Sequence, residues 1–188
     1  MLKMDKAEYE MLTEVADNLI EIVKNGQKTV EMLLMSLKTK IMADDVKKYS
    51  ISRCIKEALS EYHMQGTQKR RINFKEGNDF KFLGSKHFLK HVIFNLIQNT
   101  FKYAGKNAAI EIWLENNRIY FKDNGSGIDP EKLPHIFENF HTASSSGTGL
   151  GLAFCKRVME SFVGEITCKS EVDQYTEFCL SFHVEDFT

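Results

Sequence analysis

The sequence has no cysteine arrangement that could ligate a metal. Cys54, Cys155, Cys168 and Cys179 each stand in an apolar segment, which reads as four small buried hydrophobes in a reducing compartment. Two prolines and 11 glycines in 188 residues exclude a low-complexity or disordered chain. A charge surplus is missing too. The net charge of -1 removes any electrostatic case for nucleic acid or an anionic membrane as partner. No apolar run reaches the length of a membrane span, and no signal-peptide pattern opens the chain. What remains is 43% hydrophobic residues, enough for one proper core with a smaller appendage.

Residues 5–42 read as one long helix. Leu12, Val15, Leu19, Ile22, Val30, Leu33 and Leu37 approximate a heptad seam, interrupted at Gly26, while Glu14, Asp17, Glu21, Lys24 and Lys28 cover the other faces. One apolar stripe on a helix this long calls for a partner helix. The expectation is that another subunit or an upstream segment supplies it; the alternative is a helix folded back on its own domain. Residues 39–50 are polar and read as a link.

Beyond it, Ser50 reads as an N-cap for a helix with the stripe Ile51, Cys54, Ile55, Ala58, Leu59 and Tyr62. Arg70–Lys75 and Phe80–Leu83 read as short strands around a Glu76-Gly77-Asn78-Asp79 turn. Ser85 is placed to cap the next helix, whose apolar face runs from Phe88 and Leu89 to Ile97 and Phe101 and which Gly105 ends. Ile110, Ile112 and Leu114 alternate along one strand. Asn116-Asn117 turns the chain, and Ile119 and Phe121 lead the return strand into Asp123. A short helix at 130–136, a polar loop, a helix from about 149 to 162 and a hairpin of 165–170 with 176–184 complete the order. Strand runs beside helix runs predict an α+β fold, a two-layer sandwich with helices on one face of a mixed sheet.

The chemistry concentrates between Asp123 and Leu152. Asp123-Asn-Gly125-Ser-Gly127 places a carboxylate on a glycine turn after an apolar strand. Such a carboxylate can accept a hydrogen bond from an exocyclic amine of a flat ligand, although an ordinary Asp-Asn-Gly turn is common. Gly147-Thr148-Gly149-Leu150-Gly151-Leu152 opens a helix, and free N–H groups at the positive end of a helix dipole suit phosphate. It is not a P-loop, because no Gly-Lys-Ser/Thr follows, and it lacks the strand-turn-helix context of a dinucleotide fingerprint. The row His91, Asn95, Asn99 and Lys102 shares one side of its helix. Amide oxygens can ligate Mg²⁺ beside phosphate oxygens, and a lysine one turn on can contact phosphate. Two asparagines are poor helix formers with no local cap to explain them; a solvated face is the bland alternative. Tyr103 can stack on a base or simply pack at a rim.

Four motifs in order over residues 87–183 carry a resemblance. Asn95-Leu-Ile-Gln-Asn99-Thr-Phe-Lys102-Tyr103 is similar to the N box of sensor histidine kinases. Asp123–Gly127 is similar to their first glycine box, Phe137 and Phe140 to their F box, and Gly147–Leu152 to their second glycine box. The resemblance implies the Bergerat ATP-binding sandwich shared with gyrase, Hsp90 and MutL. It divides the chain into the second helix of a dimerisation and phosphotransfer hairpin (1–42), a linker (43–50) and a catalytic ATP-binding domain (51–188).

By that resemblance Asp123 would bind the adenine amino group with Thr176 in support, and Tyr103 would stack near the base. Asn99, with Asn95 alongside, would ligate Mg²⁺, and Lys102 would hold phosphate. The backbone of Gly125, Gly127, Gly147, Thr148, Gly149, Leu150, Gly151 and Leu152 would wrap the nucleotide. His141–Ser146 would be a short lid, anchored by Phe137 and Phe140. Related ATPases that hydrolyse ATP carry Glu where this chain has Asn95. An amide cannot act as general base, so transfer of the γ-phosphoryl is expected over hydrolysis.

The acceptor would be a histidine outside this chain, because His63, His87, His91, His135, His141 and His183 all lack the family's acceptor context. The chain then reads as a fragment starting after the acceptor helix. Expected partners are that helix, a response-regulator receiver domain and a second copy in a homodimer, but no nucleic acid. The domain would be cytoplasmic in a parent anchored at the inner membrane. Phe162-Val163-Gly164 stands where the family often has His-Gly-Gly, and Tyr175 where it often has Gly. The Tyr-Thr-Glu-Phe ending resembles quorum-sensing hybrid kinases. A serine kinase of the anti-sigma-factor type and a degenerate nucleotide-binding docking module are the alternatives.

Overall fold

The computed structural model describes residues 11–16, 19, 23, 26, 46–62, 71–105, 107–140 and 149–183. A five-stranded mixed sheet carries three helices on one face. The strands are β2 (Ile72–Lys75), β4 (Ile110–Glu115), β5 (Arg118–Asp123), β6 (Glu165–Glu171) and β7 (Tyr175–Ser181), in the order β2-β4-β5-β7-β6. β2 runs parallel to β4, and every other pair is antiparallel. The helices are α1 (Ile51–Glu61), α2 (Lys86–Tyr103) and α3 (Gly151–Ser161). The two-layer α+β sandwich expected from the sequence is the fold observed.

Alternation along the strands builds the core. Ile112, Phe121, Phe178 and Cys168 stand opposite one another across the sheet, as do Leu114, Ile119, Leu180 and Ile166. These inner rows meet Leu89, Val92, Ile93, Leu96 and Ile97 of α2 and Phe154, Val158 and Met159 of α3, all buried. Burying each such side chain is worth about 1.5–3 kcal/mol. On the outer face Trp113 stacks on Tyr120 with ring planes 5° apart and centroids 4.8 Å apart.

Two strands pair in a way the sequence did not indicate. Phe80–Leu83 and Arg70–Lys75 were expected as neighbours around a turn. Instead β3 (Lys81–Gly84) pairs antiparallel with β1 (Lys47–Ser50), in residues read as the end of a linker, and β2 joins β4. Phe82 drives the difference. It is buried, and its ring sits 5.4 Å from both Phe162 and Phe182, which holds β3 against the far end of β7. Asp79, expected only as a turn residue, accepts from the Ser50 hydroxyl (2.7 Å) and the Ser52 N–H (2.9 Å) at the start of α1. Ser50 is the N-cap foreseen, accepting from the Arg53 N–H at 3.2 Å. Ser85 occupies the N-cap position of α2 without a side-chain cap bond.

The described residues of the first segment, 11–16, 19, 23 and 26, are helical. Met11, Leu12, Val15, Leu19 and Val23 among them are exposed. The rest of the expected 5–42 helix lies outside the described residues. Among the described residues no helix is long and apolar enough to cross a membrane.

The turn between α3 and β6 stores strain. Val163 adopts φ +55 with its side chain exposed, and Gly164 packs so tightly that a Cβ there would lie 2.4 Å from the Ser181 carbonyl oxygen. A branched residue in left-handed backbone costs roughly 1–2 kcal/mol, partly offset in a glycine variant by its greater unfolded freedom. Val163→Gly is therefore expected to raise stability by about 1 kcal/mol, read as a higher urea midpoint. Gly164→Ala is expected to lower it.

Candidate functional site

The row of the sheet beyond the apolar ones is polar. Ile110, Asp123, Thr176 and Ser170 stand opposite one another on β4, β5, β7 and β6. The alternation that turns Phe121 and Phe178 inward also turns Asp123, Thr176 and Ser170 inward. Asp123 and Thr176 are buried, at 6% and 7% exposure. Asp123 Oδ1 accepts from the Gly125 N–H at 3.0 Å, and Oδ2 accepts from the Thr100 hydroxyl at 3.1 Å. Burial pushes the Asp123 carboxyl above the ordinary value of 3.8, while the hydrogen bonds from Gly125, Thr100 and Thr176 act against that shift. Three donors on two carboxylate oxygens leave one lone pair for a further donor.

The loop after Asp123 is pinned on three sides. The Ala109 N–H donates to Asn124 Oδ1 (2.8 Å), the Ser126 hydroxyl donates to the Tyr103 carbonyl (3.1 Å), and the Ile128 N–H donates to Ser170 Oγ (2.8 Å). At Gly125 a Cβ would lie 2.1 Å from that of Ala104, and at Gly127, with φ +68, a Cβ would lie 2.2 Å from the Glu171 carbonyl oxygen. Only glycine lets this loop lie flat between α2 and the β6–β7 turn.

On α2, Asn95 is buried at 3% exposure, and its Nδ2 donates to the His91 carbonyl at 3.1 Å. Its Oδ1 faces the start of α3, where a Cβ on Gly151 would come within 3.2 Å of it. Asn99 is half-buried one turn on, and Lys102 and Tyr103 are exposed at the helix end, with Lys102 Nζ 5.3 Å from the Tyr103 ring centroid. The His91 ring packs edge-on against His87 and Phe94.

α3 begins without a side-chain cap at Leu150 and without an acidic residue in its first turn. Its leading N–H groups are therefore suited to an anion. Gly149 takes φ +65 and accepts from the Phe140 N–H at 3.0 Å; Leu150 is buried, and Gly151 and Leu152 are half-buried. Gly147, Thr148 and the lid expected at His141–Ser146 lie outside the described residues. Of the two phenylalanines expected to anchor that lid, Phe137 packs at 6.5 Å on Phe178, but Phe140 is 74% exposed. Phe140 makes its connection through the backbone, because φ +63 turns its side chain away from the core.

Thr100 and Ser170 escaped the sequence reading. Thr100 sits among apolar neighbours on the core side of α2 and read as filler; a hydroxyl on an otherwise apolar helix face was the available signal. Ser170 occupies an inward position of β6 in a hairpin otherwise read for its aromatics.

The arrangement suits a planar amine-bearing group against Asp123 and an anion at α3, with the α2 amides between. Residues 84–186 match the family described as histidine kinase-, DNA gyrase B- and HSP90-like ATPase. The chain is 33% identical over 186 residues to the CAI-1 autoinducer sensor kinase/phosphatase CqsS of Vibrio cholerae, covering 95% of this chain but only 27% of that relative's length. Among solved structures, the catalytic domain of histidine kinase ThkA matches with TM-score 0.61 and 25% identity, over 72% of this chain and 93% of that one. A complex of ThkA with the response regulator TrrA matches with TM-score 0.68 and 19% identity, over 95% of this chain and 52% of that one.

Because Asp123 has a raised value in the fold, folding takes up a proton, and the stability this confers is present below 3.8 and lost as pH rises through the raised value. Asp123→Asn keeps an oxygen acceptor without the buried charge. The ligand-free variant is expected to have a higher urea midpoint than the wild type at neutral pH, with the difference shrinking as pH falls toward 3.8.

Proposed function

The chain belongs to the histidine kinase-, DNA gyrase B- and HSP90-like ATPase family, and from that membership we propose that it is the ATP-binding catalytic domain of a two-component sensor histidine kinase. It transfers the γ-phosphoryl of Mg²⁺-ATP to a histidine on a separate helix, for relay to a receiver-domain aspartate. The observation that carries this reading is the buried Asp123, held by Gly125 and Thr100 at the end of the polar row, with acceptor capacity left over.

Each residue has a task. Asp123 accepts from the adenine amino group, with Thr176 beside it in register. Tyr103, exposed at the rim, covers the base, and Lys102 reaches the phosphates. Gly149, Gly151 and the uncapped start of α3 offer N–H groups to them, continued by Gly147 and Thr148. Asn99 and Asn95 supply amide oxygens to Mg²⁺, which neutralises phosphate charge; the Asn95 oxygen already faces α3. An amide at this position orients without removing a proton from water, so ATP is held for transfer. The exposed apolar residues at 11–23 support a partner helix in a homodimer. The names of the curated relatives, sensor kinase/phosphatase, support a reverse, dephosphorylating role of the same region.

Asn99→Asp and Asp123→Asn are each expected to reduce Mg²⁺-ATP binding at least about 100-fold, by loss of a buried acceptor or by like-charge repulsion. Calorimetry showing wild-type affinity in both would end the assignment. Mixed with ATP, the chain is expected to phosphorylate a separately supplied hairpin bearing an acceptor histidine and to leave its own six histidines unmodified. Acid-labile phosphate on one of those six would overturn the division of roles.

A further inference from the structure

The protons around the polar row are fixed by the chain itself. Ser170 Oγ lies 2.8 Å from the Ile128 N–H, which can only donate, and 2.8 Å from the Tyr175 carbonyl oxygen, which can only accept. Its single proton therefore goes to Tyr175. Thr176 Oγ1 lies 3.2 Å from the same Ser170 oxygen, which has only a lone pair left to offer, so Thr176 donates there and keeps only lone pairs for a ligand. Thr100 has one proton and two acceptors in reach, Asp123 Oδ2 at 3.1 Å and the Leu96 carbonyl at 3.4 Å. The nearer, charged oxygen takes it.

We infer that Thr100 and Ser170 are positioning residues that set the base site to acceptors only, so that it takes a 6-aminopurine nucleotide and rejects a 6-oxopurine one. This rests on the ATP reading above. Adenine presents a donor to Asp123 and Thr176. A 6-oxo group presents an acceptor to two acceptors, and leaving buried polar groups unpaired is what makes such discrimination large. Without the Thr100 hydroxyl, the buried carboxylate loses a donor, and its protonated form, which can donate to a 6-oxo group, gains ground. Without the Ser170 hydroxyl, Thr176 recovers a free proton with the same effect.

The test is the ratio of ITP to ATP dissociation constants, measured on the chain by competition with a fluorescent ATP analogue. ITP differs from ATP at the 6-position and its N1 proton. The ratio is expected to fall about tenfold in Thr100→Val and in Ser170→Ala, and to be kept in Thr100→Ser. Thr100→Ala carries the same expectation should the valine variant not fold. A ratio unchanged in both hydroxyl-deleted variants overturns the inference, as does an equal weakening of both nucleotides, which marks a structural role alone. A wild type that binds ATP and ITP equally overturns it while leaving the ATP site standing. A wild type that binds no nucleotide overturns the proposed function and this inference together.

Discussion

The structure depends on one constraint, the register between β5 and β7. Asp123 lies opposite Thr176, and Thr176 lies opposite Ser170. Successive residues of a strand face opposite sides, so a shift of one residue would send a whole set outward. The same alignment that buries Phe121 against Phe178 therefore keeps the three polar groups inside. Core packing and the inward placing of the polar row are one geometric fact seen at two rows of a sheet. The apolar rows hold the register with several kcal/mol of burial, and the polar row is carried along with them.

That row costs stability. A carboxylate at 6% exposure has lost most of its water, and its neighbours only partly replace it. The fold tolerates the cost because the row sits at the end of the layer, beside a loop fastened to α2, to β4 and to the β6–β7 hairpin. Rigid support on three sides lets Asp123 keep its orientation when no ligand is there to reward it. The start of α3 is similar, since its N–H groups have no side-chain cap and are suited to an anion.

Much of this was legible in the sequence. Period-two alternation in Ile110–Leu114, Ile119–Phe121 and Phe178–Phe182 gave the strands, and the spacing of Asn95, Asn99 and Lys102 gave a shared helix side. Left-handed turns at Asn116 and Asn117 matched the Asn-Asn signal. The pairing of β1 with β3 was not legible, because Lys47-Lys48-Tyr49-Ser50 carries no alternation and the partner is chosen by Phe82, whose contacts are distant in sequence. Thr100 and Ser170 were missed because a hydroxyl inside an apolar face reveals its use only when its partner arrives from another element. Phe140 misled because aromatic identity says nothing about backbone handedness, and φ +63 decides where that ring goes.

The single tryptophan gives the molecule a built-in reporter with a defined position. Trp113 lies stacked on Tyr120 on the side of the sheet away from α1, α2 and α3, whereas the polar row faces those helices. The two are separated by one layer of backbone. Its emission therefore follows the integrity of the β4–β5 ladder rather than contact with anything bound at Asp123. If nucleotide changes that emission, the change has been transmitted as twist through the sheet itself, which would make the strand layer a mechanical element as well as a scaffold.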